Sequence, residues 1–185
     1  DSYNFFWTVT PKDFFKKFEA EYNSFWTAER KAKEQQLGLS RDQIYALASS
    51  VYKETGGKQD EMKTVAGLYL NRYRKGMKLQ SDPTVIYAVS KANNFQGEPL
   101  RRVFFKHLRE PSPYNTYFSA GIPPGPICVV DKNSVDAVLN AQKSDYIYMC
   151  ADPKRFGFHK FTASAAEHAV NAKEYQQWLN SKNIK

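Results

Sequence analysis

Glu54 is the side chain whose type and position point most directly to chemistry. It stands near the end of SRDQIYALASSVYKETGG, residues 40–57. Ile44, Leu47, Ala48 and Val51 recur there at helical spacing, and one further step of three residues reaches Glu54. A carboxyl group at the buried end of an apolar stripe, close to the negative end of a helix dipole, has its charged form disfavoured twice, so its pKa rises. Such a group holds a proton near neutral pH and can give it to a leaving group, which is the general-acid role in glycosidic bond cleavage. The competing reading is a solvated glutamate in a fraying last turn, and this segment taken alone favours it.

The segment from Glu110 to Pro126, EPSPYNTYFSAGIPPGP, is the second place where side-chain chemistry collects. Five prolines fix its backbone and forbid helix. Ser112, Tyr114, Asn115, Thr116 and Tyr117 can hydrogen-bond a sugar, and tyrosines add flat faces for sugar rings. Asn71 and Arg72 lie beside an apolar stripe, Asp82 precedes Pro83 as a helix N-cap would, and Glu61 and Asp82 are the nearest further acids. His159 sits on a candidate strand, where a structural role is the ordinary one and a site-facing role the alternative. Cys128 and Cys150 are too few for a disulfide framework and lack metal-ligand spacing; they read as buried thiols or one bridge.

The elements that must position these groups can be followed along the chain. Phe5, Trp7 and Val9 alternate as a strand without partners, which suggests a fragment of a longer protein. Thr10, Pro11 and Asp13 open a helix whose stripe of Phe14, Phe18, Tyr22, Phe25 and Trp26 reads as core. The charged residues 27–39 read as the solvated end of that helix and a turn. Ser40 and Gln43 form a capping box, and Gly56 and Gly57 stop the helix carrying Glu54. Met62, Val65, Ala66, Tyr69, Leu70 and Tyr73 follow the helical template most closely, with an αL stop at Gly76. Val85, Ile86 and Val89 mark a short helix, Gly97 and Pro99 break the chain, and Val103, Phe104 and Leu108 suggest another. Val135, Val138 and Leu139 mark a further helix. DYIYMCA and FGFHKF pair as a hairpin, and Ser164 with Glu167 caps a last helix whose Ala169, Ala172, Tyr175, Trp178 and Leu179 face the core.

With 185 residues and 42% hydrophobic content, one compact domain is expected. No stretch reaches membrane-spanning length. The net charge of +8 suits nucleic acid, an anionic surface or an acidic polymer, but the cations are dispersed rather than clustered. Together these readings give an α+β class, mainly helical, with a small C-terminal β-hairpin.

Four stretches, in this order, resemble the YceG-like family of endolytic murein transglycosylases. They are ALASSVYKETG (46–56), LYLNRYRKGMKLQSDPTVIYAV (68–89), SPYNTYFSAGIPPGPI (112–127), and DYIYMCA with GFHKF and Glu167, His168. The order is far more specific than any one motif. The sequence departs from the family pattern at Cys128, Val129 and Val130, where an Asn and Pro turn is usual, and along residues 93–108. The resemblance implies a lytic-transglycosylase-like catalytic domain over residues 11–185, preceded in residues 1–10 by the end of a LysM-like subdomain.

It further implies a lyase that cuts the β-1,4 bond between N-acetylmuramic acid and N-acetylglucosamine without water. Glu54 first protonates the glycosidic oxygen and then takes the proton of the muramoyl C6 hydroxyl, leaving 1,6-anhydro ends. Asn71, Gln80, Ser112, Tyr114, Asn115, Thr116 and Tyr117 are placed along the sugar cleft, with Asp82 and His159 behind them. No metal or cofactor is implied. Peptidoglycan strands are the expected partner, together with peptidoglycan synthases, and nucleic acid is not. The expected location is the bacterial cell envelope, extracytoplasmic and anchored to the inner membrane by a segment outside this sequence. A peptidoglycan-binding module without catalysis is the alternative. A DNA-binding helical domain lacks a motif, and a pyridoxal phosphate lyase lacks a phosphate loop.

Overall fold

The computed structural model describes residues 2–98 and 100–182, so Pro99, one of the expected breakers, lies outside the described residues. The chain divides into two compact units between Leu39 and Ser40. In the first, Thr10 caps α1 (Pro11–Phe25) by accepting the Asp13 N–H, with Pro11 in the first turn where its missing donor costs nothing. Residues 5–9 do not form the expected strand. They run as coil with one turn, Val9 N–H to Phe6 O at 3.0 Å. No ladder partner is present among the described residues, and Phe5 instead packs its ring on Phe14 at 5.2 Å. The aromatic stripe is core only at its end: Phe25 and Trp26 are buried, whereas Phe14, Phe18 and Tyr22 remain 38–40% exposed.

Residues 27–39 also differ from expectation. Trp26 leaves helical geometry at ψ 68°, Thr27 caps a new start by accepting the Arg30 N–H, and α2 (Ala28–Leu37) follows, ending on Gly38.

The second unit opens with the Ser40 capping box, complete in both directions: Gln43 N–H to Ser40 Oγ at 3.2 Å and Ser40 N–H to Gln43 Oε1 at 2.9 Å. It starts α3 (Arg41–Thr55), which ends on Gly56 at φ +58°, a conformation glycine takes without a Cβ penalty. α4 (Gln59–Arg74), α5 (Asp82–Ala92) and α6 (Lys132–Leu139) complete the helical layer. α3, α4 and α6 pack on one another around Ile44, Leu47, Val51, Val65, Tyr69, Val135 and Val138, all essentially inaccessible. The helix expected around Val103, Phe104 and Leu108 shrinks to a 3₁₀ turn at His107–Arg109.

β1 (Tyr148–Ala151) and β2 (His159–Thr162) form the expected antiparallel hairpin, with Tyr148 opposite Thr162 and Ala151 opposite His159. α4 places it. Gln142 N–H donates to Lys63 O at 2.9 Å, Thr64 Oγ1 bonds Gln142 Oε1 at 2.7 Å, and Asn71 Nδ2 donates to Ser144 O and Tyr146 O at 2.7 and 3.0 Å. The crossing is so close that a Cβ at Gly67 would lie 2.3 Å from Gln142 O. α7 (Ala165–Ser181) packs on the hairpin and buries no residue, so it does not close the core as its pattern suggests. Its capping box is half formed. Ser164 accepts the Glu167 N–H, while the Glu167 carboxylate takes the Thr162 hydroxyl instead of returning to Ser164.

Candidate functional site

Glu54 reaches a cleft of about 390 Å³ from the last turn of α3. Its Oε2 accepts two hydrogen bonds, from Tyr69 Oη on α4 at 2.8 Å and from Ser81 Oγ just before α5 at 2.9 Å. No described residue bonds Oε1. The two donors assign Oε2 the acceptor role, so a proton on this carboxyl resides on Oε1. Burial pushes the Glu54 pKa up, and the charge of Asp82 adds to the rise. The hydroxyls of Tyr69 and Ser81 and the charge of His159 oppose it without reversing it. The direction agrees with the expectation from sequence.

Ser81 occupies the N-cap position of α5, yet its hydroxyl makes no capping bond and is turned to Glu54. The Thr84 N–H that a capping hydroxyl would take bonds Ser81 O at 3.1 Å instead, and Thr116 holds the Ser81 backbone, its Oγ1 accepting the Ser81 N–H at 2.9 Å and bonding Thr84 Oγ1 at 2.7 Å. Asp82 is therefore the first residue of α5 and not its cap, and its carboxylate accepts Tyr117 Oη at 2.7 Å. Burial, and after it the charge and hydrogen bond of Asp82, hold the Tyr117 phenol far above the usual range, so it remains a neutral donor. Arg72 reaches from α4 to Leu79 O at 2.9 Å and to Gln80 Oε1 at 2.7 Å, fixing Gln80 in the left-handed region at φ +54°.

Of the residues selected from sequence, Glu54, Gln80 and Tyr117 line the cleft, and so do Asp82 and His159. Asn115 and Thr116 are buried, with their polar atoms spent inside the protein. The Asn71 amide is engaged by the chain entering β1. Ser112 Oγ accepts the Tyr114 N–H, and the Tyr114 ring packs on Tyr87 at 4.8 Å with the Lys91 ammonium 4.4 Å from its centre. These five lie off the cleft lining. Cys128 and Cys150 are both free thiols, and no metal-binding cluster occurs among the described residues.

Sequence reasoning missed Tyr69, Ser81, Tyr148 and His168. Tyr69 was hidden inside an apolar stripe, although a buried phenol must find a partner and so signals one. His168 stacks on Tyr148 with ring centres 5.0 Å apart, and burial together with the Arg72 charge pulls its pKa down, favouring a neutral imidazole.

Two substitutions test the electrostatics in opposite directions. Asp82→Asn removes a charge that disfavours the Glu54 carboxylate and should lower its pKa; Tyr69→Phe removes a donor that favours the carboxylate and should raise it. Carboxyl-carbon NMR titration of each variant reads the sign directly. A common direction for both would contradict this account.

A profile described as the YceG-like family matches residues 1–174. The chain is 37% identical over 147 residues to an endolytic murein transglycosylase of Bacillus subtilis strain 168, covering 80% of this chain and 37% of that protein. It is 31% identical over 144 residues to an endolytic murein transglycosylase of Streptococcus pneumoniae serotype 2, covering 78% and 25%. The chain thus spans well under half the length of these curated relatives. A crystal structure of a YceG-like protein from Listeria monocytogenes superposes with a TM-score of 0.72 at 31% identity, covering 91% of this chain and 51% of that one. On the profile match and these relatives, the chain belongs to the YceG-like family.

Proposed function

We propose that this chain is the catalytic part of a peptidoglycan lytic transglycosylase, a lyase that cuts the MurNAc–β-1,4–GlcNAc bond endolytically and leaves 1,6-anhydro ends. The observation that carries the reading is the Glu54 carboxyl, desolvated, with both donors on Oε2 and Oε1 unbonded at a cleft. Oε1 is then the general acid that protonates the departing GlcNAc O4. A glycoside hydrolase also needs a second carboxylate, spaced from the first for water or for covalent attack. Asp82, the other carboxylate lining the cleft, is held by Tyr117, and Glu61 is occupied by His159. Attack by the substrate's own C6 hydroxyl needs no such group. Gln80 and Tyr117 serve to orient the sugar and to meet the charge that develops on its ring.

The relatives' names, endolytic murein transglycosylase, support peptidoglycan as the substrate class and a role in the bacterial cell envelope. Within this proposal the whole protein is anchored to the inner membrane with this part outside the cytoplasm, residues 1–10 end a LysM-like subdomain, and its partners in wall assembly are peptidoglycan synthases.

Digestion of purified glycan strands, followed by mass spectrometry of new chain ends, tests the reaction. Ends of 1,6-anhydroMurNAc are expected at internal positions. Ordinary reducing ends would indicate hydrolysis, and binding without new ends would support the non-catalytic peptidoglycan-binding module.

A further inference from the structure

Residues 101–109, RRVFFKHLR, set four Arg and Lys side chains and no acid around two adjacent phenylalanines. Phe105 is 88% exposed and Phe104 52%, and Arg101, Arg102, Lys106 and Arg109 are exposed with them. Single apolar side chains on a surface are ordinary, but paired aromatic rings set among cations mark an interaction site. The stretch is held in shape. The Phe104 N–H donates to His107 Nδ1 at 3.1 Å, and the His107 N–H returns to Phe104 O at 2.8 Å. Phe105 is thus a central residue of a closed turn. Beyond it the buried Asn115 amide ties down Leu108 O and Glu110 O. Among the described residues, the one acid within ion-pair distance of the four cations is Glu98, 3.9 Å from Arg101 and itself 88% exposed. The positive charge is therefore left for a partner.

We propose that residues 101–109 form a contact loop for an anionic phospholipid surface, with Phe104 and Phe105 entering between headgroups while the four cations stay at phosphate level. Arg and Lys have stems long enough to keep their charge in the wet headgroup layer while neighbouring rings go deeper. Anionic headgroups supply the counter-charge. A soluble polyanion would engage the cations but leave both rings in water. A bilayer meets charge and apolar surface together, in the order the loop presents them. The Arg102 guanidinium already lies 5.6 Å from the Phe104 ring centre, so charge and ring act from one place. None of these residues lines the Glu54 cleft. The choice of a lipid partner rests on the proposed placement of this part beside the inner membrane, and not on the chemistry of Glu54. Because residues 93–108 depart from the family pattern, the contact is a property of this chain and not of the family.

Co-sedimentation of the whole chain with vesicles of phosphatidylcholine carrying about one-third phosphatidylglycerol, beside vesicles of phosphatidylcholine alone, tests the contact. Wild type should bind the anionic vesicles and bind the neutral ones far more weakly. Phe105→Ser should lower the partition coefficient about tenfold. Arg101→Gln combined with Arg102→Gln should lower it about fivefold for each charge removed. Both variants should melt with wild type and digest glycan strands in solution at its rate. Insertion has its own readout: in Phe105→Trp the new indole should be quenched by bromine-labelled acyl chains, beyond any quenching of the three native tryptophans. No binding to anionic vesicles, or binding that neither variant weakens, would overturn the proposal and leave the loop to an acidic protein partner. Binding lost with the arginines but not with Phe105, and displaced by polyphosphate, would overturn it in favour of a polyanion site. Glu54→Gln should bind vesicles as wild type does, so the catalytic reading and the lipid contact fail separately.

Discussion

Glu54→Gln is expected to reduce release of 1,6-anhydro ends by at least about 10³-fold, near the upper range for loss of a general acid. The amide oxygen of Gln can still accept from Tyr69 and Ser81, so both contacts to Oε2 are retained in kind. What disappears is the proton on the atom facing the cleft. The substitution therefore separates chemistry from architecture. Rates measured with intact glycan strands, beside unchanged glycan binding, would check it. A variant with near-full activity would remove Glu54 from the reaction.

The same substitution should stabilise the protein. Burial raises the Glu54 pKa in the folded state above its value in the unfolded chain, so ionisation costs more in the folded form. The contribution of Glu54 to stability is fully present at pH below the unfolded pKa and is lost as pH rises through the folded pKa. Wild type and Glu54→Gln should therefore melt together at the acid end and diverge above it. The variant should be ahead by about 0.5–2 kcal/mol, a few degrees in Tm for a chain of this size. Thermal scans at several pH values show the divergence directly.

Local signals in this sequence carried through to the structure where one or two neighbouring residues settle the outcome. Thr10 and Pro11, Ser40 with Gln43, and Gly56 each act within a turn, and the helix ends they mark are all present. Tertiary context decided the rest. Alternation at Phe5, Trp7 and Val9 does not make a strand without a partner to accept its backbone donors. A stripe on α7 does not make core when the element beneath it is a two-stranded hairpin. Residue type marked residues 112–117 as polar and proline-stiffened, but it could not say that Tyr117 points to the cleft while Asn115 and Thr116 point inward. Ser81 was least legible, because an N-cap serine ordinarily bonds its own helix, whereas here its hydroxyl donates to Glu54, distant in sequence.

Asn115→Ala is where the inward orientation has its largest consequence. Asn115 is fully buried; its Nδ2 donates to Glu110 O at 2.9 Å and Leu108 O at 3.1 Å, and its Oδ1 accepts the Tyr117 N–H at 3.0 Å. Alanine leaves these backbone groups without partners where water has little access, at about 1–3 kcal/mol for each buried group so orphaned. A total near 4 kcal/mol corresponds to about 8–16 °C in Tm. Asn115→Asp should do no better, since it keeps the acceptor for Tyr117 but sets a carboxylate oxygen against backbone carbonyls. Tyr117→Phe removes only the exposed hydroxyl bond to Asp82 and should melt within about 2 °C of wild type. Its activity should nevertheless fall, because the lost donor faces the cleft. Asn115→Ala should thus lose activity through the fold, and Tyr117→Phe without it. An Asn115→Ala protein as stable as wild type but inactive would instead place the Asn115 amide on the sugar.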